Sequence, residues 1–181
     1  ADAPWDDINV VYAMGRALNR DTFIERAFQG KAVPAYGPIP PGEKYYFRDL
    51  SGSSARAFAP DSARKLMADA GLADGFEVQV MATTGTKVPA EVLGALLKEE
   101  INVTLIPDLE ESSVFQPRRA AGEWDAFMGG SGGDPDPDDA VDDWFADGSK
   151  FNTFGYNDET VNRLNLKQKG SIDLEKRLAH I

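Results

Sequence analysis

Between residues 76 and 128, three short apolar segments alternate with two segments of helical periodicity. The apolar segments, at 76–81, 103–106 and 124–128, have the length and composition of β-strands. The segments between them are long enough for helices and carry apolar side chains at helical spacing. A helix that joins two strands of one sheet almost always makes a right-handed parallel crossover. The pattern therefore predicts an α/β fold with a parallel β-α-β-α-β core and flanking helices.

The sequence predicts further helices on both sides of this core. Residues 9–18 have an apolar face, and Asp21 is the expected N-cap of a second short helix that ends at Gly30. Pro60 opens a third helix, which ends at Gly71. The other expected elements are a long surface connection at 34–59, a short helix at 140–146 and the start of a helix at 174–181.

Parallel strands end at one common edge of the sheet, and open α/β sheets bind their ligands there. In the predicted fold, three connections leave that edge, at 82–87, 108–113 and 129–138. Thr83 and Thr84 lie in the first connection and can donate hydrogen bonds to a ligand. The architecture alone therefore indicates where a binding site is to be expected.

The third connection begins with a glycine-rich turn directly after an apolar strand. Gly130, Gly132 and Gly133, with Ser131 among them, allow a close approach of the backbone to a ligand or a positive φ. Asp134 follows these glycines and has no helix of its own to cap. Ligand contact and turn formation therefore both stay open for its carboxylate.

The aspartates that follow have a structural explanation. Asp136 is the expected N-cap of the next helix, with Pro137 at its first position. Asp138 and Asp139 complement the positive end of the helix dipole. Asp134 is thus the only carboxylate of this segment without an assigned structural role.

Motifs for metal, phosphate and nucleophile sites fail at particular positions. Asp139 and Phe145 stand where a calcium loop of the EF-hand type requires glycine and glutamate. Val80 stands where a phosphate loop ending at Gly85 requires a glycine. The single histidine, His180, is next to the last residue, and there is no cysteine. The sequence therefore predicts neither a metal nor a cofactor.

The charge of the chain limits its partners. The formal net charge of −11 leaves no basic stripe to neutralise phosphates, so nucleic acid is not an expected partner. No apolar run approaches the ~20 residues needed to cross a bilayer. Residues 1–7 also lack the order of a signal peptide. Without cysteines, the chain is compatible with an oxidising or a reducing compartment.

Several separated segments resemble, in the same order, the peptide, opine and nickel type of solute-binding protein of ABC transporters, called family 5. The glycine turn with its following Asp-Pro-Asp is similar to the Gly-Trp-x-x-Asp segment of that family. The other similar segments are Ala17-Leu18-Asn19-Arg20-Asp21, the proline string at 34–41, the helix at 61–71, Phe76-Glu77-Val78, Ile101-Asn102-Val103, Asn152 and Gly155-Tyr156-Asn157.

The resemblance implies a role for the glycine turn. In peptide-binding members, the aspartate that corresponds to Asp134 pairs with the α-ammonium group of the ligand. Ser131 stands at the usual tryptophan position, which removes an aromatic wall of the pocket and argues against an ordinary dipeptide as the ligand. The resemblance also implies a binding protein, not an enzyme, that needs no cofactor.

Members of this family are several hundred residues long and have two lobes. The resemblance therefore implies that residues 1–181 form one α/β lobe, a fragment without the N-terminal lobe and the C-terminal return segment. It further implies a peptide or small-molecule solute, a membrane ABC permease as partner, and a periplasmic or extracellular location, with a lipid anchor as one option in the full-length protein.

Two other functions are compatible with the composition. A carboxylate-dependent hydrolase could combine Asp134 with Asp125 or Glu123. A protein-interaction domain could use Trp144 and Phe145 as exposed anchors. The exposure of Trp144 separates the second function from simple packing of a helix.

Overall fold

The computed structural model describes residues 4–39, 41–42, 48–53, 57–130 and 136–181. The chain divides into two compact units. Unit 1 comprises Ala1–Pro34, Leu50–Arg119 and Glu123–Gly130. Unit 2 comprises Ala35–Asp49, Ala120–Gly122 and Ser131–Ile181.

Unit 1 contains a sheet of three parallel strands. The strands are β1 (Glu77–Thr83), β2 (Thr104–Glu110) and β3 (Ala126–Met128), in the order β2-β1-β3. In the register, Val78 pairs with Leu105. All three predicted strands and their parallel pairing are confirmed, although β2 continues beyond the predicted segment and β3 begins later than expected.

Five helices flank or follow these strands, namely α1 (Ile8–Ala17), α2 (Arg20–Phe28), α3 (Pro60–Asp69), α4 (Lys87–Ile101) and α5 (Ser112–Ala121). Helices α1, α3 and α4 pack their apolar faces together and against the start of β2. The buried core that they form consists of Ala13, Ala17, Ala63, Met67, Leu97, Ile101 and Val103. These apolar residues recur at helical spacing, which is why the predicted helices of this unit are confirmed.

Two helix ends differ from the sequence-based expectation. Asn19, not Asp21, caps α2, since its side-chain oxygen accepts a hydrogen bond from the N–H of Thr22 at 3.1 Å. The helix after β1 was expected to begin after Pro89, but α4 begins at Lys87 and contains Pro89 in its first turn. Proline is tolerated there, because the N–H groups of a first helical turn have no partner within the helix.

The start of β1 lies against the end of α4. Asn102 ends α4 in the left-handed conformation at φ 56°, and its side-chain amide donates to the carbonyl of Asp74. Gly75 has φ +78°, and a Cβ at this position would overlap the backbone carbonyl of Asn102. Directly beyond this contact, the N–H of Thr104 donates to the carbonyl of Phe76 at 2.9 Å. Only glycine therefore fits at position 75.

Unit 2 contains three helices, α6 (Pro137–Phe145), α7 (Glu159–Lys169) and α8 (Leu174–Leu178), in its described part. Helices α6 and α8 were expected, and α6 begins at Pro137, the first helical position predicted for it, whereas α7 was not predicted. Asp158 caps α7 by accepting from the N–H groups of Thr160 and Val161. Its buried residues are Asn165 and Gln168, so an apolar pattern was not available to reveal this helix.

Candidate functional site

The carboxyl ends of the three strands lie at one edge of the sheet, as the parallel pairing requires. Strand β1, in the centre, ends at Thr83; β2 ends at Glu110 and β3 at Met128. The connections are shorter than expected, since α5 follows β2 after a single residue, Glu111. The edge therefore presents the end of β1, the turn after it and the first residues after β3.

The turn after β1 is held by its threonines. Thr83 and Thr86 form a reciprocal capping box around one turn of 3₁₀ helix, Thr84–Thr86. The hydroxyl of Thr86 also donates to the carbonyl of Met128 at the end of β3, at 3.2 Å. The hydroxyl of Thr83 is thus engaged within the turn, and the exposed Thr84 is the better placed of the two predicted threonines for contact with a ligand.

The glycine turn is described only where it leaves β3. A Cβ on Gly129 would lie 3.3 Å from the ring of Phe127, so the backbone there passes close to an aromatic side chain. Gly130 is exposed, and no described atom lies within 4 Å of the position of its Cβ. Ser131, Gly132, Gly133 and Asp134 fall outside the described residues, so their assignment to the site stays a prediction.

Carboxylates at the end of β2 are neutralised by a cation of α5. One nitrogen, Nη1, of Arg118 contacts Asp108 Oδ2 at 2.9 Å and also contacts Glu110 Oε1. The hydrogen bonds to Asp108 and then to Glu110 raise the pKa of Arg118 above its usual value, against the opposing effect of desolvation. Asp108 and Glu110 thus form a local ion cluster with Arg118 at the edge of the sheet.

The geometry does not favour the hydrolase alternative. Glu123 and Asp125 are exposed and precede β3, whereas Asp134 follows the opposite end of that strand. A carboxylate pair that acts on one bond needs separations of about 5–10 Å with both groups facing the same substrate. Neither Glu123 nor Asp125 lies at the carboxyl edge of the sheet.

Trp144 packs within unit 2 and is only partly exposed. Its ring lies 5.2 Å from the ring of Phe151, and Phe145 contacts Tyr156 edge to face at 5.6 Å. The side chains of Trp144 and Phe145 therefore pack within unit 2. They are not the exposed anchors that the interaction-domain alternative requires.

Unit 2 contains a connected chain of polar side chains that was not predicted from the sequence. Arg177 on α8 donates two hydrogen bonds to Asp136, from Nη1 to Oδ2 at 2.8 Å and from Nη2 to Oδ1 at 2.6 Å. Its Nε donates to Gln168 Oε1 at 2.9 Å, and Gln168 Nε2 donates to Asn165 Oδ1 at 3.0 Å. Asn165 in turn donates to Asp142 at 2.8 Å. This set is called the polar chain of unit 2 below.

Asp136 directly precedes α6, as expected for an N-cap position, with Pro137 as the first helical residue. The pairing of both its carboxylate oxygens with Arg177 was not expected. Asp142, farther along α6, contacts Lys169 at 2.9 Å. That hydrogen bond, and secondarily the one from Asn165, lowers the pKa of Asp142 below its usual value against the cost of desolvation.

Two kinds of feature are absent from the described part of the chain, a metal site and a membrane span. No group of three or more acidic or histidine side chains is arranged to hold a metal ion in the ranges that the structure describes. Within the same ranges, no helix has the length and apolar character that a bilayer span needs.

Comparisons with known proteins agree with this fold. Heme-binding protein A of Haemophilus influenzae is 28% identical over 143 residues, which cover 75% of this chain and 26% of that protein. Di/tripeptide-binding protein 3 of Pseudomonas aeruginosa is 29% identical over 144 residues, with the same two coverages. The chain thus spans about a quarter of the length of these curated relatives.

A solved structure of an ABC transporter-associated periplasmic binding protein, DppA of Helicobacter pylori in complex with the peptide STSA, has a similar fold. Its TM-score is 0.86 at 22% identity, over 99% of this chain and 36% of that one. This likeness confirms the predicted fold class, an α/β fold with a parallel sheet and flanking helices.

The family profile described as "Bacterial extracellular solute-binding proteins, family 5 Middle" matches residues 1–153. That family and the relatives above are binding proteins and not enzymes, and the family is extracellular by description. The parallel sheet, its ordered edge and this match over most of the chain lead to one conclusion: the chain belongs to the bacterial extracellular solute-binding proteins, family 5.

Proposed function

We propose that this chain is one lobe of a solute-binding protein that captures a peptide or a related small solute and delivers it to an ABC permease in the membrane. The family match over residues 1–153 is the observation that carries this proposal. The sheet edge supports it, because the three strands end where open α/β sheets bind ligands and the exposed Gly130 follows β3 at that edge.

The proposed protein has two lobes that close on the ligand like a hinge. Residues 1–181 form one lobe, and an N-terminal lobe of the same protein provides the facing wall of the cleft. The coverage of 26% of each curated relative supports a longer protein. In this arrangement the protein acts in the periplasm or outside the cell, with a lipid anchor as its proposed attachment to the membrane.

The proposed ligand site is the glycine turn with the end of β1. In this proposal Asp134 binds an ammonium group of the ligand, and Ser131 and the backbone of Gly130, Gly132 and Gly133 shape the pocket. Thr84 offers a hydroxyl to the ligand. Support for Asp134 comes from its place directly after the glycines and before the helix start at Pro137. A carboxylate that pairs with an ammonium suits peptides and other amines.

The first experiment identifies the solute. Native mass spectrometry of the full-length protein, purified without refolding, should show a retained small molecule with an amino group. If the purified full-length protein binds neither peptides nor other amines in calorimetry, the proposal is contradicted.

The second experiment tests the site with matched variants of the full-length protein. Asp134→Ala should cost ~2 to 5 kcal/mol of affinity, because it leaves the buried ammonium group of the ligand unpaired. Asp138→Ala is the control, which should leave affinity nearly intact and lower stability by at most ~1 kcal/mol. Equal affinity losses at both positions, or none at Asp134, would show that the site is misassigned. Normal affinity in Asp134→Asn would indicate a neutral, hydrogen-bonded solute instead of an amine.

The third experiment concerns this chain alone. Without the facing lobe, half of the desolvating cleft is missing, so the chain should bind small solutes weakly or not at all. Submicromolar binding to the chain alone in isothermal titration calorimetry would contradict the two-lobe arrangement.

A further inference from the structure

We propose that Thr86 is a positioning residue for the ligand site: its side-chain hydroxyl joins the turn that carries Thr84 to the point where the backbone leaves β3 toward Gly130. This inference rests on the proposed function, which places Thr84 and Gly130 at the ligand. All three residues belong to unit 1 and to the part of the chain that the structure describes. Thr86 is half-buried, whereas Thr84 and Gly130 are exposed.

The first support is the place of the Thr86 hydroxyl between two strand ends. It accepts a hydrogen bond from the N–H of Thr83, the last residue of β1, at 3.0 Å. It donates to the carbonyl of Met128, the last residue of β3, at 3.2 Å. The register of β1 with β3 stops at the pair of Ala82 with Met128. The hydroxyl therefore continues the connection between the two strands beyond their last paired residues.

The second support is that the side chain of Thr86 is itself held. In the reciprocal capping box, the N–H of Thr86 donates to the hydroxyl of Thr83. The Thr86 hydroxyl lies 3.3 Å from both the carbonyl and the hydroxyl of Thr83, so the Thr83 carbonyl shares its single hydrogen with Met128. A side chain that is fixed on several sides can fix the backbone that it contacts, which a mobile exposed threonine cannot do.

The third support is the backbone that Thr86 contacts. Strand β3 has only three residues, and Gly129 and Gly130, which follow it, have no side chains with which to pack. The carbonyl of Met128 belongs to the same planar peptide unit as the N–H of Gly129, so the hydrogen bond from Thr86 orients the backbone one residue before Gly130. Binding costs less conformational entropy when this backbone is fixed in advance. Thr86 should therefore act on affinity without touching the ligand.

The test uses matched variants of the full-length protein. Thr86→Val keeps the shape of the side chain and removes the hydroxyl, whereas Thr86→Ser keeps the hydroxyl. Thr84→Val removes the hydroxyl that is proposed to meet the ligand. The control is Thr104→Val, at the opposite, amino end of the sheet, where the lost hydroxyl accepts from Lys98 Nζ at 3.1 Å.

The first readout is hydrogen exchange of the backbone amides at 129–130 in the protein without ligand. Thr86→Val should speed this exchange, because the carbonyl of Met128 loses the hydroxyl that orients it. Thr86→Ser and Thr104→Val should leave it unchanged. Unchanged exchange in Thr86→Val overturns the inference.

The second readout is affinity for the dipeptide Ala-Ala and the tripeptide Ala-Ala-Ala, measured by calorimetry. Thr86→Val should weaken binding about three- to tenfold, the range that corresponds to the net free energy of one hydrogen bond. Thr86→Ser and Thr104→Val should bind like the wild type. A loss in Thr86→Ser as large as that in Thr86→Val would show that the hydroxyl is not the cause, and would overturn the inference.

A double-mutant cycle separates positioning from a general loss of stability. If Thr86 acts by placing Thr84, the affinity lost through Thr84→Val should be smaller in the Thr86→Val background than in the wild type. Independent, additive losses contradict the positioning role. If the wild-type protein binds neither peptide, the proposed peptide function fails and the inference fails with it. If the wild type binds a peptide and Thr86→Val binds it equally well, the inference alone fails.

Discussion

The two units of this chain have interiors of opposite chemistry. Among the described residues, unit 1 buries mainly apolar side chains between its helices and its sheet, with Arg119 as a buried polar residue. In the described part of unit 2, the residues that are buried are Asn165 and Gln168. The first interior depends on the area and volume of apolar side chains, whereas the second depends on each polar atom having a partner.

This difference predicts two kinds of response to substitution. An apolar core loses stability in proportion to the volume that is removed, because its neighbours relax only in part. A polar chain loses stability when any one of its members is replaced, since each neighbour is then left with an unsatisfied donor or acceptor. The four predictions below test whether the two units follow these rules.

The largest effect is expected in the core of unit 1. Leu97 is 1% exposed and packs against the helices around it, so Leu97→Ala should lower the free energy of unfolding by about 3 kcal/mol through lost burial and a remaining cavity. Urea denaturation measures this change. The matched control is Leu166→Ala in α7, a residue that is 72% exposed, which should change stability by no more than about 0.5 kcal/mol. Similar losses for both variants would contradict the comparison.

The second prediction concerns the polar chain of unit 2. Gln168→Met keeps the size of the side chain and adds apolar surface, yet it leaves Arg177 Nε and Asn165 Oδ1 without this partner. We expect a loss of about 2 kcal/mol in denaturant unfolding. Gln116→Met on α5, at an exposed position, is the control and should be nearly neutral. A stabilising effect of Gln168→Met would show that unit 2 behaves like an ordinary apolar core.

A smaller effect should follow from acidification. Lys169, and then Asn165, lower the pKa of Asp142, so the folded chain keeps this carboxylate charged where the unfolded chain binds a proton. The stability that it contributes is present above its unfolded pKa of about 4 and is lost as the pH falls through the folded pKa.

The size of the acid effect is limited, because the side chains of Lys169 and Asp142 are 40% and 35% exposed. We expect at most about 1 kcal/mol. The measurement is the free energy of unfolding from pH 6 down to about pH 2.5, compared between the wild type and Asp142→Asn. The gap between the two should close below pH 4, and Asp125→Asn, at an exposed position, serves as the control. Parallel pH profiles would exclude this contribution.

The smallest effect is expected at the surface of unit 1. Lys65 and Asp69 form an ion pair at 2.7 Å one helical turn apart on α3, with both side chains at least half exposed. Lys65→Gln should cost only about 0.3–0.5 kcal/mol, and added salt should remove part of it. A loss as large as that of Gln168→Met would mean that surface pairs matter here as much as buried polar contacts.

The apolar interior of unit 1 explains why its elements could be predicted from the sequence. Apolar residues recur with a period of 2 in strand β1 and with a period of 3.6 in helices α3 and α4. These periods can be read from the local sequence alone. The choice of Asn19 over Asp21 as the N-cap could not be predicted in this way, because both residue types cap helices and the position of the first turn decides between them.

The polar chain of unit 2 could not be predicted. The buried residues of helix α7 are Asn165 and Gln168, whereas sequence-based prediction expects apolar residues at the buried positions of a helix. In addition, Arg177, which binds Asp136, lies 41 residues away from it in the sequence. No local pattern encodes such a contact. Of the candidate site, the meeting of the strand ends followed from the predicted parallel sheet, whereas the engagement of Thr83 with Thr86 depends on a turn whose 3₁₀ form was not foreseen.

The close approach of Gly75 to Asn102 has a consequence for the order in which the sheet assembles. It brings the start of β1 against the end of α4, and the hydrogen bond from Thr104 to Phe76 forms directly beyond it. Forming this contact costs the entropy of closing the chain segment between Gly75 and Asn102. The later hydrogen bonds between β1 and β2 do not carry that cost again, because the two strands are already neighbours. We expect β1 and β2 to pair from this end toward the opposite edge. During refolding, the threonine turn at 84–86 would then be the last part of this strand pair to reach its place.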